Sequence, residues 1–81
     1  MERSEIESKV KAFLIEEMEI EAEAISDEAA LREGLGLDSL DFVDIVVSVE
    51  KTFGFKIKPE EMTDVRTVKE FYDYIEARTV R

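Results

Sequence analysis

Apolar residues fall at Ile6, Val10, Phe13, Leu14 and Met18, a spacing that lines one face of a helix with about 3.6 residues per turn. A second periodic stretch runs through Phe42, Ile45, Val46, Val49 and Phe53, and a third through Val68, Phe71, Tyr72 and Ile75. Local signals place the ends of these helices. Asp38 is a good N-cap, so the second helix opens there and runs through Ser39 to Thr52 or Phe53, where Gly54 stops it. Pro59 is pre-set for a first helical position and is followed by Glu60 and Glu61, which predicts a short helix over 59–63. Thr67-Val68-Lys69-Glu70 is a capping box that starts the last helix. The alternating stretch from Glu19 to Ile25 has the period of a strand, but a lone extended segment finds no partner in so helical a chain. It is read as a long ordered loop, with a turn of helix over Asp27–Arg32. The loop ends at Gly34-Leu35-Gly36-Leu37, where two glycines permit backbone angles that other residues resist. The pattern predicts an all-α four-helix bundle: three longer helices, a short third helix, and a long connection between the first two, in a single domain over residues 1–81.

The second helix carries a feature that its core stripe does not explain. At about 100° per residue, Leu40 and Val47 point away from the core and share a face with Asp44 and Lys51. Such residues are either stray surface hydrophobes or the apolar centre of a charged docking face, and the pattern leaves both readings open. Ser39 stands at the head of this face. The unpaired amides and partial positive charge of a helix N-terminus tolerate a phosphate ester there, although Asp-Ser at a helix start is also ordinary capping chemistry.

Composition narrows the chemistry. Hydrophobic residues make up 44% of the 81-residue chain and charged residues 40%, a folded composition. The chain contains no His and no Cys, so it has no Ser–His or Cys–His nucleophile and no thiolate or imidazole metal ligand. Catalytic residues and a metal site are therefore not expected. A calcium loop opened at Asp38 and running through Asp41 and Asp44 fails on spacing, because Val43 stands where it needs Gly and Val49 where it needs an acid. The net charge of −10 repels nucleic acid and anionic lipid and favours partners with basic patches. No apolar run is long enough to span a bilayer, and the first residues lack the order of a signal peptide, so a cytoplasmic protein is expected.

Leu35-Gly36-Leu37-Asp38-Ser39-Leu40-Asp41 resembles the Asp-Ser-Leu attachment motif of acyl carrier proteins. The resemblance extends over nearly the whole chain: the first helix, the acidic loop, the Val-rich second helix ending in Glu50-Lys51-Thr52-Phe53, the Pro59 helix and the Thr67-capped last helix. It implies that Ser39 receives 4'-phosphopantetheine from coenzyme A through a separate phosphopantetheinyl transferase, and that the arm's thiol bears the cargo as a thioester. The missing cysteine and the missing base would thus both come from outside the chain. Asp38 would cap the helix beside the attachment point. Leu40, Asp44 and Val47 correspond to the family's partner-recognition positions, with Lys51 on the same face. The implied partners are the transferase, an acyl-loading enzyme, and a synthase or acyltransferase with basic docking patches, met by a monomer. An acyl chain folding back between the helices would be lined by Ile45, Val49, Ile57, Met62, Val65 and Phe71, residues that are also needed to fill the core.

Three departures from the family pattern bear on partner choice. Lys51 stands where fatty-acid carriers usually have an acid, Phe42 where a smaller residue is common, and Phe53-Gly54-Phe55-Lys56 is less acidic than its counterpart. They point towards a specialised carrier for a polyketide-like, aryl or lipid-modifying pathway, with a general fatty-acid carrier as the other reading. An aminoacyl or D-alanyl carrier shares the attachment chemistry, and an unmodified acidic interaction module shares the fold. Charge itself yields a prediction. Residues 1–64 hold eighteen acids against seven bases, so raising salt from about 10 to about 150 mM, which shortens the screening length from about 30 to about 8 Å, is expected to raise the melting temperature. A flat or falling melting temperature would contradict this.

Overall fold

The computed structural model describes residues 2–62 and 64–79, apart from the Pro59 side chain. Four α-helices follow in order: α1 (Arg3–Glu16), α2 (Ser39–Phe53), α3 (Pro59–Met62) and α4 (Val68–Thr79), with a 3-10 turn at Ala22–Ala24. Among the described residues there is no strand, only an isolated antiparallel bridge between Ala30 and Thr67. The all-α bundle expected from the periodicity is the fold observed.

α1 buries Ile6, Val10, Phe13 and Leu14 against α4, which answers with Val68, Phe71, Tyr72 and Ile75. The rings of Phe13 and Phe71 meet edge-on with centroids 6.4 Å apart, a favoured aromatic geometry. The apolar stripe of α1 outlasts the helix. Glu19 turns left-handed (φ 58°) and the Ile20 N–H reaches back to the Leu14 carbonyl, so Met18 packs on the core from outside the helix. α2 contributes Ile45 and Val49, whereas Phe42, Val46 and Phe53 of its predicted stripe are only half-buried. The buried Ser48 donates to Glu17 Oε1 at 3.1 Å and ties α2 to the end of α1.

The long connection is ordered because it is part of the core. Ile25, Leu31, Leu35 and Leu37 are all buried in it. The helical turn expected over Asp27–Arg32 does not form, because these backbone groups bond to the start of α4 instead. The Leu31 N–H donates to Arg66 O at 2.8 Å, Val68 N–H to Ala29 O at 3.0 Å and Lys69 N–H to Asp27 O at 3.0 Å. The first amides of a helix have no acceptor within it, and the connection supplies acceptors to two of them. The Thr67–Glu70 capping box forms as expected: Glu70 N–H donates to Thr67 Oγ1, and Thr67 N–H to Glu70 Oε1. Of the two loop glycines, only Gly36 has a positive φ (73°). Gly34 is required for space, since a Cβ there would lie 2.8 Å from the Ala30 carbonyl oxygen.

α3 occupies 59–62 of the predicted 59–63, and Thr63 lies outside the described residues. It is held to α4 by Glu61, whose Oε1 accepts from both the Tyr74 hydroxyl and the Arg78 guanidinium, while Arg78 also stacks on the Tyr74 ring. A second network joins the chain's two ends. Arg3 bonds Glu7, Asp73 and Glu76 and lies over the ring of the buried Tyr72. Burial pushes the Tyr72 hydroxyl up to about 12, and that hydroxyl has no hydrogen-bond partner among the described residues.

The Tyr74 hydroxyl, and after it Arg78, hold the Glu61 carboxyl below its ordinary value of 4.5. Because the folded value is the lower one, the stabilisation from Glu61 is present above about pH 4.5 and is lost as pH falls through the lowered value. Glu61→Gln is therefore expected to lower the melting temperature near about pH 7, with the gap from wild type closing below about pH 4.5. A gap that stayed constant into acid would show that the carboxylate charge is not what holds α3.

Candidate functional site

Ser39 is the first residue of α2 and exposed to solvent, and its hydroxyl makes no hydrogen bond among the described residues. The acids beside it are occupied. Asp38 Oδ1 accepts from the Leu40 and Asp41 amides, both at 3.0 Å, and Asp41 Oδ2 accepts from the Asp38 N–H at 3.1 Å. This reciprocal box corrects one expectation from the sequence. The amides that make a helix start attractive to a phosphate are here already bonded to carboxylate, so the helix end does not form an anion cradle. Sequence reasoning found the Asp38 cap but missed Asp41, because the usual box carries Glu or Gln at that position. The Asp-x-x-Asp spacing was the available signal.

The arrangement can accept a modification. Nothing beside Ser39 draws off its proton: the chain has no His, and both neighbouring carboxylates are turned to backbone amides. Among the described residues no group of three His, Cys, Asp or Glu is placed to hold a metal ion. An exposed, unbonded hydroxyl at a helix head fits a phosphopantetheine ester, which needs an accessible oxygen and a separate enzyme to reach it.

Along α2 from Ser39, Leu40 is 77% exposed and Val47 43%, with Asp44 and Lys51 exposed on the same face. The structure adds Val43, which is 60% exposed. It lies three residues after Leu40 and four before Val47, the spacings that bring side chains together on a helix, so periodicity had the signal and the projection centred on Leu40 and Val47 left it out. The three apolar side chains form a continuous exposed strip with an acid and a base on it.

The six residues named for an acyl space, Ile45, Val49, Ile57, Met62, Val65 and Phe71, are all buried in one core cluster. Two of them reach a surface. Met62 and Val65 line a cleft of about 390 Å³ together with Ala30, Arg32, Glu33 and Arg66, while the other four are buried in the core. The cleft adjoins the head of α2 through Arg32, whose guanidinium lies 5.1 Å from the centroid of the Phe42 ring, one turn on from Ser39. No helix among the described residues is long and apolar enough to cross a membrane.

Comparison with known proteins bears directly on this geometry. Residues 8–75 match the family described as the phosphopantetheine attachment site. An acyl carrier protein from Coprothermobacter proteolyticus is 42% identical over 77 residues, covering 95% of this chain and 94% of its own. Acyl carrier proteins from Thermotoga maritima and Thermosynechococcus vestitus are 38% and 37% identical, covering 94% and 93% of this chain and the same shares of theirs. With the helical bundle, the unengaged serine at the head of α2 and an attachment-site match over most of its length, the chain belongs to the acyl carrier protein family, whose cofactor is 4'-phosphopantetheine.

Proposed function

We propose that Ser39 bears the 4'-phosphopantetheine arm and that the chain, as a single non-catalytic domain acting as a cytoplasmic monomer, presents acyl thioesters to separate enzymes. The observation that carries this reading is the state of Ser39: exposed, without a hydrogen bond, and flanked by acids already committed to the helix cap. When bound, the arm supplies the thiol that this cysteine-free chain lacks. The chain's own residues position and address it. The capping box fixes the first turn of α2, so the attachment oxygen has a defined place for a transferase to find. Leu40, Val43 and Val47 offer an apolar contact whose rim carries Asp44 and Lys51. Rim charges of this kind set which partner docks more than how tightly it binds. The partners are a phosphopantetheinyl transferase, an acyl-loading enzyme and a synthase or acyltransferase, each with a basic docking patch to meet the acidic carrier.

Intact mass tests the assignment. Incubation with coenzyme A and a phosphopantetheinyl transferase is expected to add one arm to the wild type and none to Ser39→Ala. An unchanged wild-type mass, under conditions that modify a control carrier, would leave an unmodified interaction module in its place. The docking face has its own test. Asp44→Lys is expected to weaken binding to the transferase by roughly tenfold in Kd while leaving the circular dichroism and melting temperature unchanged. Equal affinity for both proteins would remove that face from recognition.

A further inference from the structure

We infer that an enzyme acting at Ser39 docks on this carrier with a surface of both signs, and that the cleft beside the head of α2 receives a carboxylate side chain from it. The inference rests on the proposal that Ser39 bears the arm, and it sharpens the account of the partners, whose basic patch is bordered by an acid.

Position is the first observation. Projected along α2 at about 100° per residue, Phe42 and Val43 fall on opposite sides of Ser39, about 60° and about 40° away. Val43 leads into the exposed apolar strip that carries Asp44. Phe42 leads the other way. The Arg32 guanidinium lies 5.1 Å from its ring centroid, and Arg32 lines the cleft with Arg66, Met62 and Val65. Ser39 therefore stands between a strip bearing an acid and a cleft bearing two cations. An enzyme that closes over the Ser39 hydroxyl covers ground on both sides of it.

Charge is the second observation. Arg32 and Arg66 are exposed, and neither forms an ion pair among the described residues, in a chain with ten more negative than positive charges. Arg3 and Arg78 are, by contrast, engaged by carboxylates. Glu33 also lines the cleft, so the lining keeps an excess of one positive charge. Stacking on Phe42 orients the Arg32 guanidinium and leaves its N–H groups free to bond. A partner surface that was basic throughout would press like charge on the two guanidiniums and strip their water without return. An acidic side chain does the opposite. Its carboxylate meets a guanidinium through two parallel hydrogen bonds, and its methylenes rest on the wall of Met62 and Val65. A cleft of about 390 Å³ has room for such a side chain.

The test is calorimetric titration of the full Ser39→Ala chain with a phosphopantetheinyl transferase, which reads docking without transfer. Adding Arg32→Glu with Arg66→Glu is expected to weaken Kd about tenfold. By net charge alone that variant, being more negative, would bind a basic partner more tightly. Asp44→Lys moves the net charge the other way and weakens binding too, so overall charge does not account for both losses. Lys11→Glu changes the charge at an exposed cation of α1 outside the cleft, and is expected to leave Kd unchanged or to tighten it. Melting temperatures check that each variant is folded. If the double reversal melts well below its parent, Arg32→Gln with Arg66→Gln gives the reading instead, with about a threefold loss expected. Equal or tighter binding of the folded arginine variant, or an equal loss in Lys11→Glu, would overturn the inference. Intact mass of the wild type after incubation with coenzyme A reads the attachment separately. No added arm, with the loss of docking in the arginine variant present, would sink the attachment reading and keep the cleft. An added arm with undiminished docking of that variant would sink the cleft and keep the attachment.

Discussion

Three backbone hydrogen bonds between the long connection and the start of α4 hold the rest of the architecture in place: Leu31 N–H to Arg66 O, Val68 N–H to Ala29 O, and Lys69 N–H to Asp27 O. Two of them satisfy amides that the start of α4 leaves without partners, and all three pin the connection across the bundle. Leu31, Leu35 and Leu37 can then enter the core, which fixes where the chain arrives at Asp38 and hence where α2 begins. The position of Ser39 is therefore set by contacts far from it in sequence. The cleft depends on the same stitch, because Ala30 and Arg32 come from one side of it and Arg66 from the other.

The head of α2 shows how a carrier is kept passive. Asp38 and Asp41 bond each other's backbone amides, which stabilises the first turn by roughly 1 kcal/mol per cap and removes those amides from any contact with phosphate. An ester on Ser39 would stand beside two carboxylates with no cradle to hold it, and like charge would keep the phosphate off the helix end. An arm proposed at Ser39 would then be tethered by its covalent bond alone, beside the exposed strip of Leu40, Val43 and Val47.

What was legible in the sequence is what local rules govern. The span of α2 from Asp38 to Phe53, the Thr67–Glu70 box and the stripe of α4 all depend on residues within four positions of one another, and all are found as expected. Val43 was equally legible, since its spacing to Leu40 and Val47 is the helix period itself. The missed features are long-range. The segment 27–32 has enough turn-forming residues to suggest a helical turn, but the backbone partners that decide its conformation belong to residues 66–69. The Ser48–Glu17 bond and the Arg32–Phe42 contact likewise join elements that no periodicity relates. For the site, the place of Ser39 at the head of α2 and the Asp38 cap were readable from local spacing, whereas the cleft was not, because its two arginines are thirty-four positions apart.

The arginines divide the molecule by task. Of the four that the structure describes, Arg3 clamps α1 to α4 and Arg78 holds α3 through Glu61. Each ties a helix to α4 in a chain that otherwise repels itself. Exposed pairs of this kind are individually weak, but Arg3 serves three carboxylates at once, which relieves repulsion among Glu7, Asp73 and Glu76 as well as bridging them. Arg32 and Arg66 contribute no such relief, although acids are plentiful nearby in sequence. In a protein of this charge a cation left without a carboxylate forgoes an interaction that a small side-chain movement elsewhere would supply. Arg32 instead rests on the Phe42 ring. The Phe42 ring thus holds a guanidinium at the cleft that Arg32 and Arg66 line.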